Sequence, residues 1–159
     1  MTGKDIVIKR VFDAPRRRVW QAWTEPEQMM RWFGPKGFTI PSCRMNVQVG
    51  GEILFCMRPP DGKDVWGTGI YLEVVEMEKI VMTDAFSDEK GNVVPPSYYD
   101  MGEDWTDEVL ITVTFEELEY CTTQLTLRIS GLPVGEMTEG SELGWNEAFD
   151  KLAEMLAKD

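Results

Sequence analysis

The period of the hydrophobic pattern changes along the chain, and this change restricts the possible folds more than any other feature. Over residues 109–116 and again over 122–130, polar residues alternate with apolar ones. The apolar residues are Val109, Ile111, Val113, Phe115, Leu125, Leu127 and Ile129. A period of two places successive side chains on opposite faces of a strand, which predicts an antiparallel sheet with one apolar face. The tail has a helical period instead, with apolar residues at Trp145, Phe149, Leu152 and Leu156. The sheet and the final helix must therefore cover each other.

The first part of the chain predicts one strand followed by two short helices. The segment "IVIKRVF" (residues 6–12) is rich in β-branched residues, which is typical of a strand. Asp13 is a candidate cap for the first helix, and Thr24 and Glu27 have the capping-box spacing for the second. Gly34 then ends the second helix. Two short helices directly after strand one can close one end of a sheet.

The segments between these helices and residue 109 predict further strands. "VQVGGEILFCM" (residues 47–57) alternates around a Gly-Gly pair that suits a bend, and two more strands are expected over residues 66–74 and 80–86. We predict that their inner, apolar face consists of Phe55, Met57, Trp66, Ile70, Met82 and Phe86. The expected fold class is α+β, with a curved antiparallel sheet of about six or seven strands, two short helices after strand one and a long carboxy-terminal helix packed across the sheet.

The charge of the chain argues against nucleic acid as a partner. There are 28 acidic and 16 basic residues, so the formal net charge is −12. An acidic surface of this kind repels phosphate backbones. The most apolar region, "GIYLEVVEMEKIVM" (residues 69–82), is interrupted by charged residues, so we expect no membrane insertion. We also expect no secretory signal, because the chain lacks a basic start followed by an apolar stretch.

Cysteine and histidine usage limits the possible chemistry. Cys43, Cys56 and Cys121 are widely spaced and odd in number, which argues against a disulfide framework and favours a reducing cytoplasm. The chain contains no histidine. Triads, dyads and metal sites that depend on histidine are therefore excluded, and any acid–base chemistry would rest on carboxylates, Tyr, Lys or Cys. We predict no metal, no cofactor and no catalytic residue.

Four segments of the sequence resemble one known family. They are "FDAPRRRVWQAWTEPEQMMRWFGPKGF", "VQVGGEILFCMRPPDGK", "GTGIYLEVVEMEKIVMTDAF" and "GWNEAFDKLAEML". They are similar to the single-domain relatives of the activator of heat-shock-protein-ninety ATPase, in the START-like (SRPBCC) superfamily with the birch-pollen-allergen fold. The resemblance implies a helix-grip fold and one START-like domain over residues 1–159. Many relatives carry Asp-x-Arg before the Gly-Gly pair, whereas this chain has Asn46 and Gln48.

The leading hypothesis is non-catalytic binding of a small apolar or amphipathic ligand in a cavity between the sheet and the final helix. Aromatic and methionine side chains on the predicted inner face suit such a pocket, and an irregular loop after residue 92 could form its lid. Core packing is the simpler explanation for any single residue. The candidate ligand-binding residues are Phe55, Met57, Trp66, Ile70, Met82, Phe86, Tyr98, Tyr99, Met101, Trp105, Ile111, Val113, Trp145 and Phe149.

Two charged residues interrupt the inner-face pattern. Arg10 is in register with Ile8 and Phe12, and Asp84 is in register with Met82 and Phe86. An unpaired buried charge is strongly disfavoured, so the two could pair with each other or orient a polar ligand head. The simpler alternative is that both reach solvent at strand ends.

Two other functions remain open. One is a protein-interaction module like the chaperone activator, in which the acidic surface and the Met/Trp-rich short helices bind a chaperone or another protein. The other is a cyclase- or hydrolase-type enzyme, since polyketide cyclases and lipid or hormone carriers belong to related families. Asp84, Glu73 and Tyr98 are the acid–base candidates for such an enzyme. No pair of them has a diagnostic spacing.

Overall fold

The computed structural model describes residues 5–99, 109–131 and 136–158. Its strands and helices, in chain order, are β1 Ile6–Phe12, α1 Arg16–Thr24, α2 Pro26–Trp32, β2 Thr39–Met45, β3 Glu52–Arg58, β4 Val65–Val75, β5 Lys79–Ser87, β6 Val109–Leu118, β7 Thr122–Ser130 and α3 Glu136–Lys158. Short 3-10 turns occur at Pro96–Tyr99 and Glu119–Cys121. Within this part of the chain, no helix is both long and apolar enough to cross a membrane.

The seven strands form one antiparallel sheet in the order β1-β7-β6-β5-β4-β3-β2. Consecutive strands are neighbours from β2 to β7, and β1 joins the far edge beside β7. The sheet is curved, and α3 lies on its concave side, which we call the inner face. The predicted α+β helix-grip architecture is confirmed.

Aromatic side chains join α3 to the rest of the core. Phe149 is fully buried, and its ring centroid lies 6.0 Å from that of Phe12 on β1 and 6.2 Å from that of Trp32 on α2. Trp23 of α1 also contacts Phe149, at 6.4 Å. Burying each such ring stabilises the fold by about 2–3 kcal/mol through the removal of apolar surface from water. Phe149 of α3 therefore packs against both short helices and the first strand.

The two short helices form where the sequence predicts them, but their caps differ from the prediction. Pro15 and Glu25 occupy the N-cap positions, and neither makes a side-chain capping hydrogen bond. Asp13 does not cap α1, and Thr24 donates its hydroxyl to the Trp20 carbonyl oxygen at 2.9 Å instead. The expected capping box is therefore wrong, because Thr24 remains the last residue of α1 rather than preceding α2.

Strand β4 presents the opposite set of side chains to that predicted. Tyr71 pairs with Met82 and is 1% exposed, so it belongs to the inner face. Trp66 and Ile70 have the other parity and lie on the outer face, where Ile70 is 42% exposed. The prediction that these two residues face α3 is wrong.

Close packing against β3 and β5 explains this reversal. The inner positions of β4 include Gly67, which pairs with Phe55, and Gly69, which pairs with Ile53. A Cβ on Gly67 would lie 2.4 Å from the Phe55 ring, and one on Gly69 would lie 2.1 Å from the Thr83 carbonyl oxygen. Inner-facing side chains therefore cannot be accommodated at these two positions.

Candidate functional site

The two halves of the inner face differ in how completely their side chains are buried. In the half formed by β1, β7 and β6, the inner side chains of Leu125, Leu127 and Val113 are fully buried. Ile111 and Phe115 are also buried, and the Phe115 ring contacts Trp20 of α1 at 5.2 Å. This half is a packed core.

The half formed by β3, β4 and β5 also has buried inner side chains, among them Phe55, Tyr71 and Met82. Five apolar side chains around it are only half-buried, and we call them the inner apolar patch; they are Phe33 after α2, Met57 of β3, Phe86 of β5, Val109 of β6 and Trp145 of α3. The Phe33 ring lies 5.5 Å from that of Trp145 and 5.0 Å from that of Phe55. Apolar side chains that remain accessible on a concave face are typical of a ligand pocket.

Asp84 lies beside this patch on β5. It pairs across the ladder with Val109, and its neighbours of the same parity on β5 are Met82 and Phe86. Desolvation raises the pKa of Asp84 to about 6. Among the described residues, none makes a hydrogen bond or ion pair with its carboxylate. Within the described part of the chain, the inner face thus carries a half-buried carboxyl group that no protein donor contacts, beside apolar side chains.

Arg10 also lies on the inner face, but it is engaged by α3. Its guanidinium donates to Asp150 Oδ1 at 2.9 Å and to the Asn146 carbonyl oxygen at 3.2 Å, and it lies 5.9 Å from the Phe149 ring centroid. Strands β7 and β6 separate β1 from β5, a distance of about 14 Å at the usual strand spacing. Arg10 and Asp84 therefore do not pair, and neither is a solvated residue of the outer face.

Lys151 of α3 is a second basic group on this side of the sheet. Its ammonium group donates to the carbonyl oxygens of Phe33, Pro35 and Phe38 at 3.3, 3.2 and 3.4 Å. Desolvation lowers its pKa. The lysine therefore provides hydrogen bonds to three carbonyl oxygens in and beside the turn after α2. These bonds hold the turn, including Phe33, against α3.

The predicted lid residues are only partly described. The Tyr99 hydroxyl accepts the Trp66 backbone N–H at 3.2 Å and donates to the Ser87 carbonyl oxygen, which fixes it at the end of the β4–β5 pair. Tyr98 is 58% exposed and packs edge-on against Tyr99. With Trp66 and nearby polar residues these tyrosines line a cavity of about 380 Å³, whose other walls are Asp64, Asp88, Glu89, Lys90 and Asn92. Met101 and Trp105 lie outside the described residues.

The other predicted ligand-binding residues lie on the inner face of the sheet or on α3. The core cluster or the side chains packed against it include Phe55, Met57, Met82, Ile111, Val113, Trp145 and Phe149. Phe86 has the inner parity on β5, and its ring contacts that of Tyr99 at 6.1 Å. Sequence reasoning missed Phe33 and Tyr71. Burial raises the pKa of Tyr71. The signal that could have identified Tyr71 is the Gly67/Gly69 alternation, because glycines on one parity of a strand indicate the closely packed face.

The titratable groups of the described residues near the inner face are not paired for proton transfer. Asp84 can accept a proton, but among the described side chains no second titratable group is hydrogen-bonded to it. Burial raises the pKa values of Cys43 and Cys56 to about 11, so both thiols stay protonated and unreactive at neutral pH. Glu73 pairs with Val81 and lies on the outer face, whereas Asp84 lies on the inner face. No cluster of three potential metal ligands occurs within the described part of the chain.

Comparisons with known proteins identify the family of the chain by a sequence model and find its fold in solved structures. The family model described as "Activator of Hsp90 ATPase homolog 1-like protein" matches residues 13–157. A solved protein of Chromobacterium violaceum is 27% identical, with a TM-score of 0.79 over 98% of this chain and 98% of that chain. One of Arthrobacter aurescens is 27% identical, with a TM-score of 0.81 over 98% and 87%. The AHSA1 protein of Silicibacter pomeroyi is 20% identical, with a TM-score of 0.75 over 97% and 98%. No curated protein matches the sequence significantly.

Proposed function

The chain belongs to the family of activator of Hsp90 ATPase homolog 1-like proteins, and from this premise we propose that it binds a small apolar or amphipathic molecule between the sheet and α3, without converting it. Family and fold support a ligand-binding or co-chaperone-like module. The observation that supports the finer proposal is the inner apolar patch, whose five side chains come from the sheet, the turn after α2 and α3 and are only half-buried. Apolar area left accessible inside a concave sheet is removed from water when a ligand enters.

The composition of the patch suits an adaptable pocket. Met57 offers a flexible thioether, and Phe33 and Trp145 offer ring faces and edges in a T-shaped arrangement. The Met57 sulfur lies 3.6 Å from the position that a Cβ would take on Gly34, so the turn after α2 approaches this side chain closely. A chain-like or aromatic ligand body can therefore contact both the sheet and α3.

Two neighbouring substitutions on β6 test the proposal. Val109 belongs to the patch, whereas Leu110 lies on the outer face and is 38% exposed. We expect Val109→Phe to fill the space and to weaken binding of octan-1-ol at least about tenfold, since a few lost apolar contacts have this effect. Leu110→Phe adds the same ring on the other face and should change binding less than about twofold. Isothermal titration calorimetry measures both affinities.

The titration also separates this function from its main alternative. The wild-type chain should bind octan-1-ol with a Kd on the order of 0.1 mM, as expected for a ligand of this size in an apolar site. A co-chaperone-like module, which the family match also favours, needs no internal ligand. Absence of octan-1-ol binding, or equal loss in both variants, would contradict the carrier function and leave the interaction module as the better explanation.

A further inference from the structure

The charge on the inner face restricts which ligand heads the site accepts. We infer that the ligand carries a protonated amine or similar cationic nitrogen, which binds the Asp84 carboxylate while the apolar body lies against the inner apolar patch. This inference rests on the proposed function and specifies the chemical class of its ligand.

Asp84 lies next to the inner apolar patch, both along β5 and across the β5–β6 ladder. It is directly opposite Val109, and Phe86 follows two residues later on the same face of β5. Phe86 in turn pairs with Gly67, and Gly67 pairs with Phe55. An amphipathic molecule on these side chains therefore has its head within reach of the carboxylate.

Basic groups on this side of the sheet are already engaged by the protein. The Arg10 guanidinium is bound to Asp150 and Asn146, and the Lys151 ammonium is bound to three carbonyl oxygens. A carboxylate or phosphate head would therefore meet Asp84 without a counter-charge from either residue. Like-charge proximity in a poorly solvated site is strongly unfavourable.

The carboxylate is half-buried and lies beside apolar side chains. Charged groups in such surroundings are usually paired, and within the described residues no donor satisfies Asp84. The net charge of −12 further favours the approach of a cation.

Three eight-carbon probes that differ in their head group test the inference. They are n-octylamine, octan-1-ol and octanoate, titrated into the full chain by calorimetry at pH 7.5 and about 0.15 M salt. We expect one octylamine per chain, bound at least about tenfold more tightly than octan-1-ol, because a charge-assisted hydrogen bond is stronger than a neutral one. Octanoate should bind more weakly than the alcohol.

Two variants assign the preference to Asp84. Asp84→Asn keeps the shape of the side chain, so octan-1-ol affinity should change less than about twofold, while the amine loses its advantage. Glu116→Gln removes one negative charge from an exposed position of β6 and should leave the preference intact.

Each unfavourable result has a distinct meaning. If octan-1-ol binds but octylamine binds no better, the inference is overturned and the proposed function stands. If the amine preference persists in Asp84→Asn, the overall acidic field produces it, and the assignment to Asp84 is also overturned. If none of the three probes binds, the proposed function fails and the inference fails with it.

Discussion

Asp84 makes the stability of the fold depend on pH in the opposite sense to an ordinary surface carboxylate. Its pKa in the folded protein is raised from 3.8 to about 6, so the folded state holds the proton more tightly than the unfolded state does. The free energy of unfolding should therefore fall as pH rises from about 4 to 6 and then stay lower. A shift of this size corresponds to about 3 kcal/mol, and the partial exposure of the group reduces this to about 2 kcal/mol.

We accordingly expect Asp84→Asn to stabilise the protein at pH 7.5 by about 2 kcal/mol, because the amide carries no charge to desolvate. At pH 4 the same substitution should have little effect, since the wild-type carboxyl is already protonated in the folded state. Urea unfolding followed by tryptophan fluorescence at the two pH values measures this difference. Glu116→Gln, on the outer face, controls for the general loss of a negative charge, and an equal effect of Asp84→Asn at both pH values would contradict the desolvation account.

At the scale of elements, the turn between α2 and β2 depends on α3 more than on its own sequence. Gly34 takes φ +89°, a conformation that glycine adopts without strain, and it allows the chain to reverse after α2. The carbonyl oxygens that follow are satisfied by Lys151, more than a hundred residues away. Local sequence signals identify this turn, but a distant side chain satisfies its backbone.

Lys151→Met should therefore destabilise the protein by about 1–2 kcal/mol, because it keeps the aliphatic stem but leaves part-buried carbonyl oxygens without their donor. The matched control is Lys158→Met, at the exposed last turn of the same helix, which should change stability by less than about 0.5 kcal/mol. Midpoints of urea unfolding measure both. Similar midpoints for the two variants would show that the three hydrogen bonds contribute nothing to stability.

For the whole molecule, Phe149 is the point where separate parts of the fold meet. Its ring contacts Phe12, Trp23, Trp32 and Trp145, which belong to β1, α1, α2 and α3. The contacts between sheet and helix are distant in sequence, so the aromatic cluster forms only when the chain has folded completely. Loss of this ring affects every layer of the core at once.

We expect Phe149→Ala to lower the free energy of unfolding by about 3–5 kcal/mol, through lost apolar burial and the cavity that remains. Leu143→Ala is the matched control on the same helix, since that side chain is 62% exposed and should cost less than about 0.5 kcal/mol. Thermal and urea unfolding of both variants test this expectation. A loss below about 1 kcal/mol for Phe149→Ala would mean that the core repacks around the missing ring.

The architecture could be predicted from the amino-acid sequence alone, because hydrophobic period and composition act locally. Alternation over residues 109–116 and 122–130 specified the inner face of β6 and β7, and the stripe at Phe149 and Leu152 specified the buried side of α3. The same alternation placed both Arg10 and Asp84 toward the interior. Whether the inner-face residues contact a ligand stays a prediction.

Which face of β4 is inside, and which charges have partners, depends on packing between elements that are distant along the chain. The bulky residues Trp66 and Ile70 suggested one parity, but the Phe55 ring of the neighbouring strand occupies the space above Gly67 and selects the other. Arg10 finds its partners on α3, far along the chain, whereas no residue in the described ranges pairs with Asp84. A local pattern indicates that a side chain points inward, and the elements that pack against it determine what it meets there.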